Sequence, residues 1–273
     1  MTPAARPRPA PVAVAAIAVV MSASLAVLLL EGNAAHTLTL GSLGTGLGLL
    51  TIVVTITAVG LVVARHQPRN PIGWLLAGAG LLVLLSITAS TYTTAVYYNG
   101  HPGVPLAGPV ALVLAELFPL AFFPFPLVIL LFPDGRLPSP RWRWVLCGYL
   151  AVGAAALVSV CAVSVAAIAG AHIRVLADGE LAQVSNPARG TAWLGVLVVV
   201  FLGSVVLLWL AALARQIGSF RGASGERRQQ LKWLMSGAAV CGVGLTAIAT
   251  NSALWEVLIL GFAALPVGIG WAS

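Results

Sequence analysis

Long apolar runs constrain this chain more than any other feature of its sequence. Eight runs of about 20 residues or more, rich in Leu, Ala, Val and Gly, contain almost no charged side chain. A helix of about 20 apolar residues is long enough to cross a hydrocarbon layer about 30 Å thick. The eight predicted spans are 12–30, 41–64, 71–97, 105–132, 144–169, 192–213, 231–250 and 253–270.

The composition excludes a water-soluble domain. Hydrophobic residues make up 60% of the 273 residues and charged residues only 8%, whereas a soluble domain carries roughly 25% charged residues. The run 12–30 follows Arg6 and Arg8 as a signal peptide would, but its apolar core exceeds the usual length of about 7 to 15 residues. We therefore predict one all-α, polytopic transmembrane helix bundle over residues 1–273, with an uncleaved first span.

Basic residues are distributed unevenly over the predicted loops. Twelve of the 14 Lys and Arg residues precede the first span or lie in the loops after the second, fourth and sixth spans, and only Arg174 and Arg189 lie in the opposite loops. Because cytoplasmic loops are enriched in Lys and Arg, both termini are predicted to be cytoplasmic in a cell-membrane protein. The net charge of +7 favours anionic lipid headgroups as a partner and not nucleic acid.

No residue pattern in the sequence matches an enzyme. The four histidines lie singly in four predicted loops and lack the spacing of a zinc or haem site. The segment GSLGTGLG, residues 41–48, lacks the lysine of a phosphate-binding loop, and its Gly44 and Gly48 would instead let two helices approach closely. We expect no cofactor, no metal and no catalytic residue in this chain.

The segment LFPDGRLPSPRWRW, residues 131–144, joins two predicted spans on the cytoplasmic face. A proline ends the helix, an Asp-Gly pair makes a turn, and two further prolines hold the chain extended. One interpretation is a rigid basic turn at the membrane surface, and the other is a coupling loop that contacts a cytoplasmic partner domain. Its charged residues are Asp134, Arg136, Arg141 and Arg143.

The loop after the sixth predicted span is the most basic. Arg227, Arg228 and Lys232 fall at the start of a predicted helix that leads into the span 231–250, with Ser224 as its cap. We expect these three side chains to lie on the anionic inner leaflet of the membrane.

Glu116 is the most unusual residue of the predicted span 105–132. At 1.5 Å per residue it lies about 18 Å from the start of that span, near the bilayer centre, where an acidic side chain costs at least about 2.5 kcal/mol. An antiparallel neighbour would bring Ser86, Thr88 and Ser90 to a similar depth. The alternatives are a structural polar knot, with the carboxyl bound to a carbonyl freed by a proline, a sensing or proton-responsive site, or part of a solute pathway.

The segment HIRVLADGELAQVSNP, residues 172–187, is the one substantial loop on the predicted extracellular face. Its Asp178-Gly179 pair is favoured in hairpin turns and apolar residues flank it. The sequence is consistent with a small surface hairpin or with an ordinary polar loop.

Three segments carry a family resemblance: QPRNPIGWLL from Gln67, LFPDGRLPSPRWR from Leu131 and ERRQQLKWLMSG from Glu226. Together with ALPVGIG at 264–270 they resemble the membrane region of actinobacterial sensor histidine kinases and related multi-pass regulators, over roughly residues 60–270.

The resemblance implies a sensor module that relays a signal to a cytoplasmic kinase or output domain, with a homodimer as one expected assembly. Relatives continue into cytoplasmic signalling domains, which this chain lacks, so histidine phosphorylation and ATP binding transfer to no residue here. Two other function classes fit the sequence. In a small-solute transporter or permease, two spans with Glu before Pro, at Glu116 and Glu256, would be the interrupted helices of a repeat. The other class is a non-catalytic membrane scaffold.

The charge distribution makes a prediction about orientation. In a variant without native cysteines, a cysteine at Ser139 or Ser224 should react with an impermeant thiol reagent only from the cytoplasmic side, and one at Ser185 only from outside. Labelling of Ser139→Cys in intact cells would mean that the orientation is the reverse of the predicted one.

Overall fold

The computed structural model describes residues 40–100, 108–170, 172–177, 179–185 and 192–221, with isolated positions from 16 to 26 and at 225 and 228. Over these residues the regular elements are helical, so the all-α fold is confirmed for this part of the chain. The α-helices are α1 Leu40–His66, α2 Pro71–Thr93, α3 Gly108–Ala115, α4 Pro124–Leu131, α5 Trp142–Ala169, α6 Ala182–Ser185 and α7 Ala192–Arg221. A π-helical turn, Thr94–Tyr98, continues α2, and a 3-10 helix, Phe118–Phe122, separates α3 from α4.

Three helical stretches of the described residues are long and apolar enough to cross a membrane: Pro71–Tyr98, Trp142–Ala169 and Gly195–Arg221. A fourth results if α3 and Phe118–Leu131, bent by 47° relative to each other, are taken as one span. These stretches match the predicted spans 71–97, 144–169, 192–213 and 105–132, and α1 coincides with the predicted span 41–64.

The remaining predicted spans cannot be compared with the structure. The span 12–30 is described only at isolated helical positions, and 231–250 and 253–270 lie outside the described residues. The total of eight spans and the orientation of the termini therefore stay predictions.

The predicted span 105–132 is broken near its middle. Prolines lack the N–H that closes an α-helical turn, and the backbone here tightens into bonds between residues three apart. Leu117, Leu120 and Phe123 donate to the carbonyls of the third residue before them at 3.2, 3.0 and 3.1 Å. The prolines responsible are Pro119, Pro124 and Pro126.

The end of α7 also differs from the hydropathy boundary. The predicted span ended at residue 213, whereas the helix continues to Arg221. Helix formation does not require an apolar sequence, and the extra residues place Gln216 within α7, where its side chain is 1% exposed.

α1 and α2 form an antiparallel pair whose backbones touch. A Cβ atom on Gly73 would lie 2.5 Å from the Ala64 nitrogen and 2.8 Å from the Gly60 carbonyl oxygen, and one on Gly60 would lie 2.5 Å from the Ala77 nitrogen. Small residues permit this close approach between apolar helices. The side-chain packing of α1 around Gly44 and Gly48 is not among the described features, so the role predicted for these two glycines stays a prediction.

An aromatic stack ties the proline-broken segment to the longer helices. The Phe123 ring lies parallel to the Tyr149 ring of α5, with centroids 4.5 Å apart, and 6.2 Å from the Phe201 ring of α7. The Tyr149 hydroxyl donates to the Phe123 carbonyl at 2.8 Å. Gly153 makes room for the stack, because a Cβ there would lie 2.5 Å from the Phe123 ring.

The contact between α1 and α2 predicts a strong position dependence for glycine substitutions. Gly73→Ala should destabilise the protein by about 1–3 kcal/mol, the usual cost of overpacking, and should lower its Tm in detergent. Gly78→Ala on the same helix is the matched control, because a Cβ there meets no atom within 4 Å. Equal Tm values for the two variants would contradict the backbone contact.

Candidate functional site

Residues 172–177 and 179–181 belong to a hairpin that follows α5, and the short helix α6 comes after it. Val175 and Leu181 form an isolated antiparallel bridge. The Leu176 N–H donates to the Glu180 carbonyl at 2.9 Å, and the Gly179 N–H donates to the Leu176 carbonyl at 3.0 Å. Gly179 has a φ of +85°, the left-handed position that ends a three-residue hairpin connection. The loop is thus one residue longer than a two-residue turn.

One side of the hairpin is inserted into the helix bundle through the buried residues Val175, Gly179 and Leu181, while His172, Arg174 and Ala177 are exposed. Leu181 is 0% exposed and packs with Leu112 of α3, which is also 0% exposed. The buried Thr93 hydroxyl of α2 donates to the Gly179 carbonyl at 2.6 Å. Gly179 lies so close to the Ser90 backbone that a side chain would not fit there.

Glu116 follows the last residue of α3 and is 4% exposed. Its Oε1 accepts a hydrogen bond from the backbone N–H of Leu181. The sequence suggested a carbonyl freed by proline as a partner of this carboxyl, and the structure shows a bond to the hairpin backbone.

The three hydroxyls predicted near Glu116 have different roles. Ala89 packs against Ala111 and Ala115, which places this part of α2 beside the end of α3. The Thr88 hydroxyl donates to the Leu84 carbonyl of its own helix at 2.8 Å, while the Ser90 carbonyl accepts from the Thr94 hydroxyl at 3.0 Å. The Ser86 hydroxyl is buried without a hydrogen-bond partner in the described part of the chain.

Thr93 is a site residue that the sequence analysis missed. It lies one turn beyond Ser90 on α2, and it is 0% exposed. The helical spacing from Ser86 through Ser90 to Thr93 places these hydroxyls on one side of α2. That spacing is the signal from which Thr93 could have been found.

A second polar cluster lies at the opposite end of the bundle. Asn70 caps α2, because its Oδ1 accepts from the Ile72 N–H at 3.1 Å. Its Nδ2 donates to Gln67 Oε1 at 2.9 Å and to the Pro133 carbonyl at 3.3 Å. A Cβ on Gly135, whose φ is +68°, would lie 2.5 Å from Asn70 Oδ1. Asn70 therefore joins two of the segments on which the family resemblance rests.

Gln216 of α7 closes this cluster from the other side. Its Nε2 donates to the Ile129 carbonyl at 2.6 Å and to the Phe132 carbonyl at 3.0 Å. The last carbonyls of a helix have no partner within it, so Gln216 satisfies the end of α4. The sequence analysis missed this residue because the hydropathy boundary placed it in a loop.

The charged residues predicted for coupling lie beside this cluster but do not enter it. Their side chains are exposed and, within the described part of the chain, make no hydrogen bond or ion pair. Of the basic residues predicted to contact lipid, the Arg228 guanidinium lies 5.3 Å from the centroid of the Phe220 ring, and Arg227 and Lys232 lie outside the described residues. The four coupling residues are Asp134, Arg136, Arg141 and Arg143.

The described residues contain no group of three or more His, Cys, Asp or Glu side chains that could hold a metal ion. Comparison of the chain with protein-family models, with curated proteins and with solved structures finds no match. The class that the fold defines is an all-helical bundle with helices compatible with a membrane protein, and its distinguishing feature is a carboxyl group bound to an inserted hairpin.

The bond between Glu116 and Leu181 makes a prediction about stability. Glu116→Gln keeps an acceptor oxygen and should retain the hairpin, whereas Glu116→Leu leaves the Leu181 N–H buried without a partner, at a cost of about 1–3 kcal/mol. Hydrogen exchange of residues 179–185 in detergent should accelerate in Glu116→Leu. Thr93→Val, which removes the other bond to the hairpin, should have a similar but smaller effect. Unchanged exchange in both variants would mean that these bonds do not hold the hairpin.

Proposed function

We propose that this protein is an integral membrane signal-transduction module, which relays a change at its hairpin to the opposite, cytoplasmic end of the bundle. We call the end that carries residues 172–185 the hairpin side, and the end that carries residues 132–141 the loop side. The observation that supports the proposal is that one broken helical segment, α3 to α4, has a polar anchor at each of these ends.

The hairpin-side anchor is the bond from Leu181 to Glu116. A signal that moves the hairpin changes the environment of this carboxyl, because the hairpin backbone is its hydrogen-bond partner. The segment that follows has a 47° bend and lacks regular α-helical bonds at its prolines. Such breaks are places where helices bend with little loss of hydrogen bonding.

The loop-side anchors are Gln216 and Asn70, which hold the end of α4 and the start of the following loop. A shift of α4 along its axis therefore disturbs both side chains. The loop beyond them presents exposed charges, including Arg136 and Arg141. In the proposed module this loop is the surface that contacts a cytoplasmic output domain or partner, as in the coupling interpretation of the sequence.

The second candidate function is a small-solute transporter. The observation in its favour is the discontinuous α3–α4 span with Glu116 at the break, an arrangement that transporters use at substrate and ion sites. Against it, the hairpin fills the space beside Glu116 with fully buried Leu181. The corresponding Glu256 lies outside the described residues, so the repeat has no structural support.

A fluorescence experiment on the protein in lipid nanodiscs tests signal transfer. An environment-sensitive dye is attached at Ser139→Cys on the loop side, in a background without other cysteines. Glu116→Leu and Thr93→Val should change the dye's emission, because each removes a bond that holds the hairpin. Ser164→Ala is the control, since Ser164 is equally buried but its hydroxyl bonds only the Val160 carbonyl of α5.

Two outcomes would contradict the signalling proposal. The first is a dye that does not respond in either variant although hydrogen exchange shows that the hairpin has been released. The second is proton or solute flux into proteoliposomes that depends on Glu116, which would favour the transporter.

A further inference from the structure

An apolar groove of about 380 Å³ lies between α3 and α5 on the hairpin side. Carbon atoms alone line it, and its volume falls within the usual range for ligand pockets, about 300–1,000 Å³. The lining residues are Pro109, Val110, Val113 and Leu114 of α3 and Val165 and Ile168 of α5.

The groove opens through the flank of the bundle. Val110 and Val165, which stand on opposite walls, are 59% and 56% exposed. A polar solute gains nothing from a surface without hydrogen-bonding groups, whereas a hydrocarbon chain gains contacts along its length. The groove therefore selects an occupant with an apolar chain that arrives from the side.

A basic residue, Arg174, follows the hairpin-side end of the groove wall in the chain. α5 ends at Ala169, one residue after Ile168 of the groove wall, and Arg174 follows five residues later. The Arg174 carbonyl accepts from the Ala182 N–H at 2.8 Å, which holds its main chain in the hairpin. Its side chain is exposed and, among the residues that the structure describes, has no carboxylate partner.

We propose that the groove binds an acyl chain of an anionic phospholipid from the hairpin-side leaflet, and that Arg174 binds the lipid phosphate. A guanidinium matches the geometry of a phosphate with two parallel N–H donors. The charge of Arg174 complements a net negative headgroup, and the apolar groove complements the chain below it. This proposal rests on the membrane embedding proposed above but not on signal transfer.

Native mass spectrometry of the full chain, released from detergent, tests the lipid site. The probes are phosphatidylglycerol and phosphatidylcholine with identical acyl chains. The wild-type protein should retain one phosphatidylglycerol in preference to phosphatidylcholine. Val165→Trp fills the groove and should abolish this retention. Val158→Trp is the matched control, because Val158 is 67% exposed on the same helix, two turns away and outside the groove.

Substitution of the cation tests the headgroup contact separately. Arg174→Gln should weaken phosphatidylglycerol binding about five-fold, the usual contribution of one basic residue near an anionic surface, and should remove the preference over phosphatidylcholine. Arg174→Lys should restore most of that preference. Val113→Trp, which fills the groove from α3, replaces Val165→Trp if that variant does not reach the wild-type helix content.

Other occupants of the groove give different results, and each would overturn the proposal. If a second copy of the chain covers the groove, Val165→Trp lowers the dimer fraction and leaves lipid retention unchanged. If another segment of the same chain covers it, the wild type retains neither lipid and Val165→Trp lowers the Tm. If the protein retains its lipid selectivity while the Ser139 dye does not respond, only the signalling proposal is rejected, and the proposal of a lipid site stands.

Discussion

The hydrogen bond between the Glu116 carboxyl and the Leu181 N–H is the interaction that allows a connecting loop to lie inside this bundle. A buried N–H without a partner and a buried carboxylate without a partner are each costly. α3 ends at the carboxyl group, and the hairpin brings the N–H to it, so each group removes the cost of the other. Without this pairing, the buried N–H would lack this acceptor, and the hairpin would be held less firmly at the break after α3.

The same solution recurs along the segment from α3 to the loop side. The prolines remove backbone donors, and polar side chains from other helices bind the carbonyls near each interruption. Tyr149 of α5 donates to the Phe123 carbonyl, Gln216 of α7 donates at the end of α4, and Asn70 donates to Pro133. In apolar surroundings an irregular backbone is tolerated only where protein groups satisfy it. The segment is therefore the part of the bundle to which the other helices are attached by polar bonds.

Length and apolar composition were sufficient to predict α1, α2 and α5 to within a few residues, because a long apolar run folds as a helix wherever it is buried. They were not sufficient for the proline-rich span, since prolines show where bonds are missing but not how far the helix bends. The hairpin turn was visible at Gly179. Its insertion was not, because that depends on Thr93 and Glu116, which lie about 60 residues or more away in the chain. Gln216 was missed because hydropathy falls at Arg215 and ended the predicted span before it, although the helix continues to Arg221.

The helix contacts differ in tightness across the bundle, and the difference determines which element can move. α1 and α2 meet backbone to backbone at Gly60 and Gly73, so neither can shift without a clash. α3 and α5 are separated by the apolar groove on the hairpin side, where a shift meets only side chains or lipid. α3 also carries Glu116 at its end. In the proposed module, an occupant of the groove and the hairpin bond thus both act on one short helix, and α4 and the loop side follow that helix through the proline-broken segment.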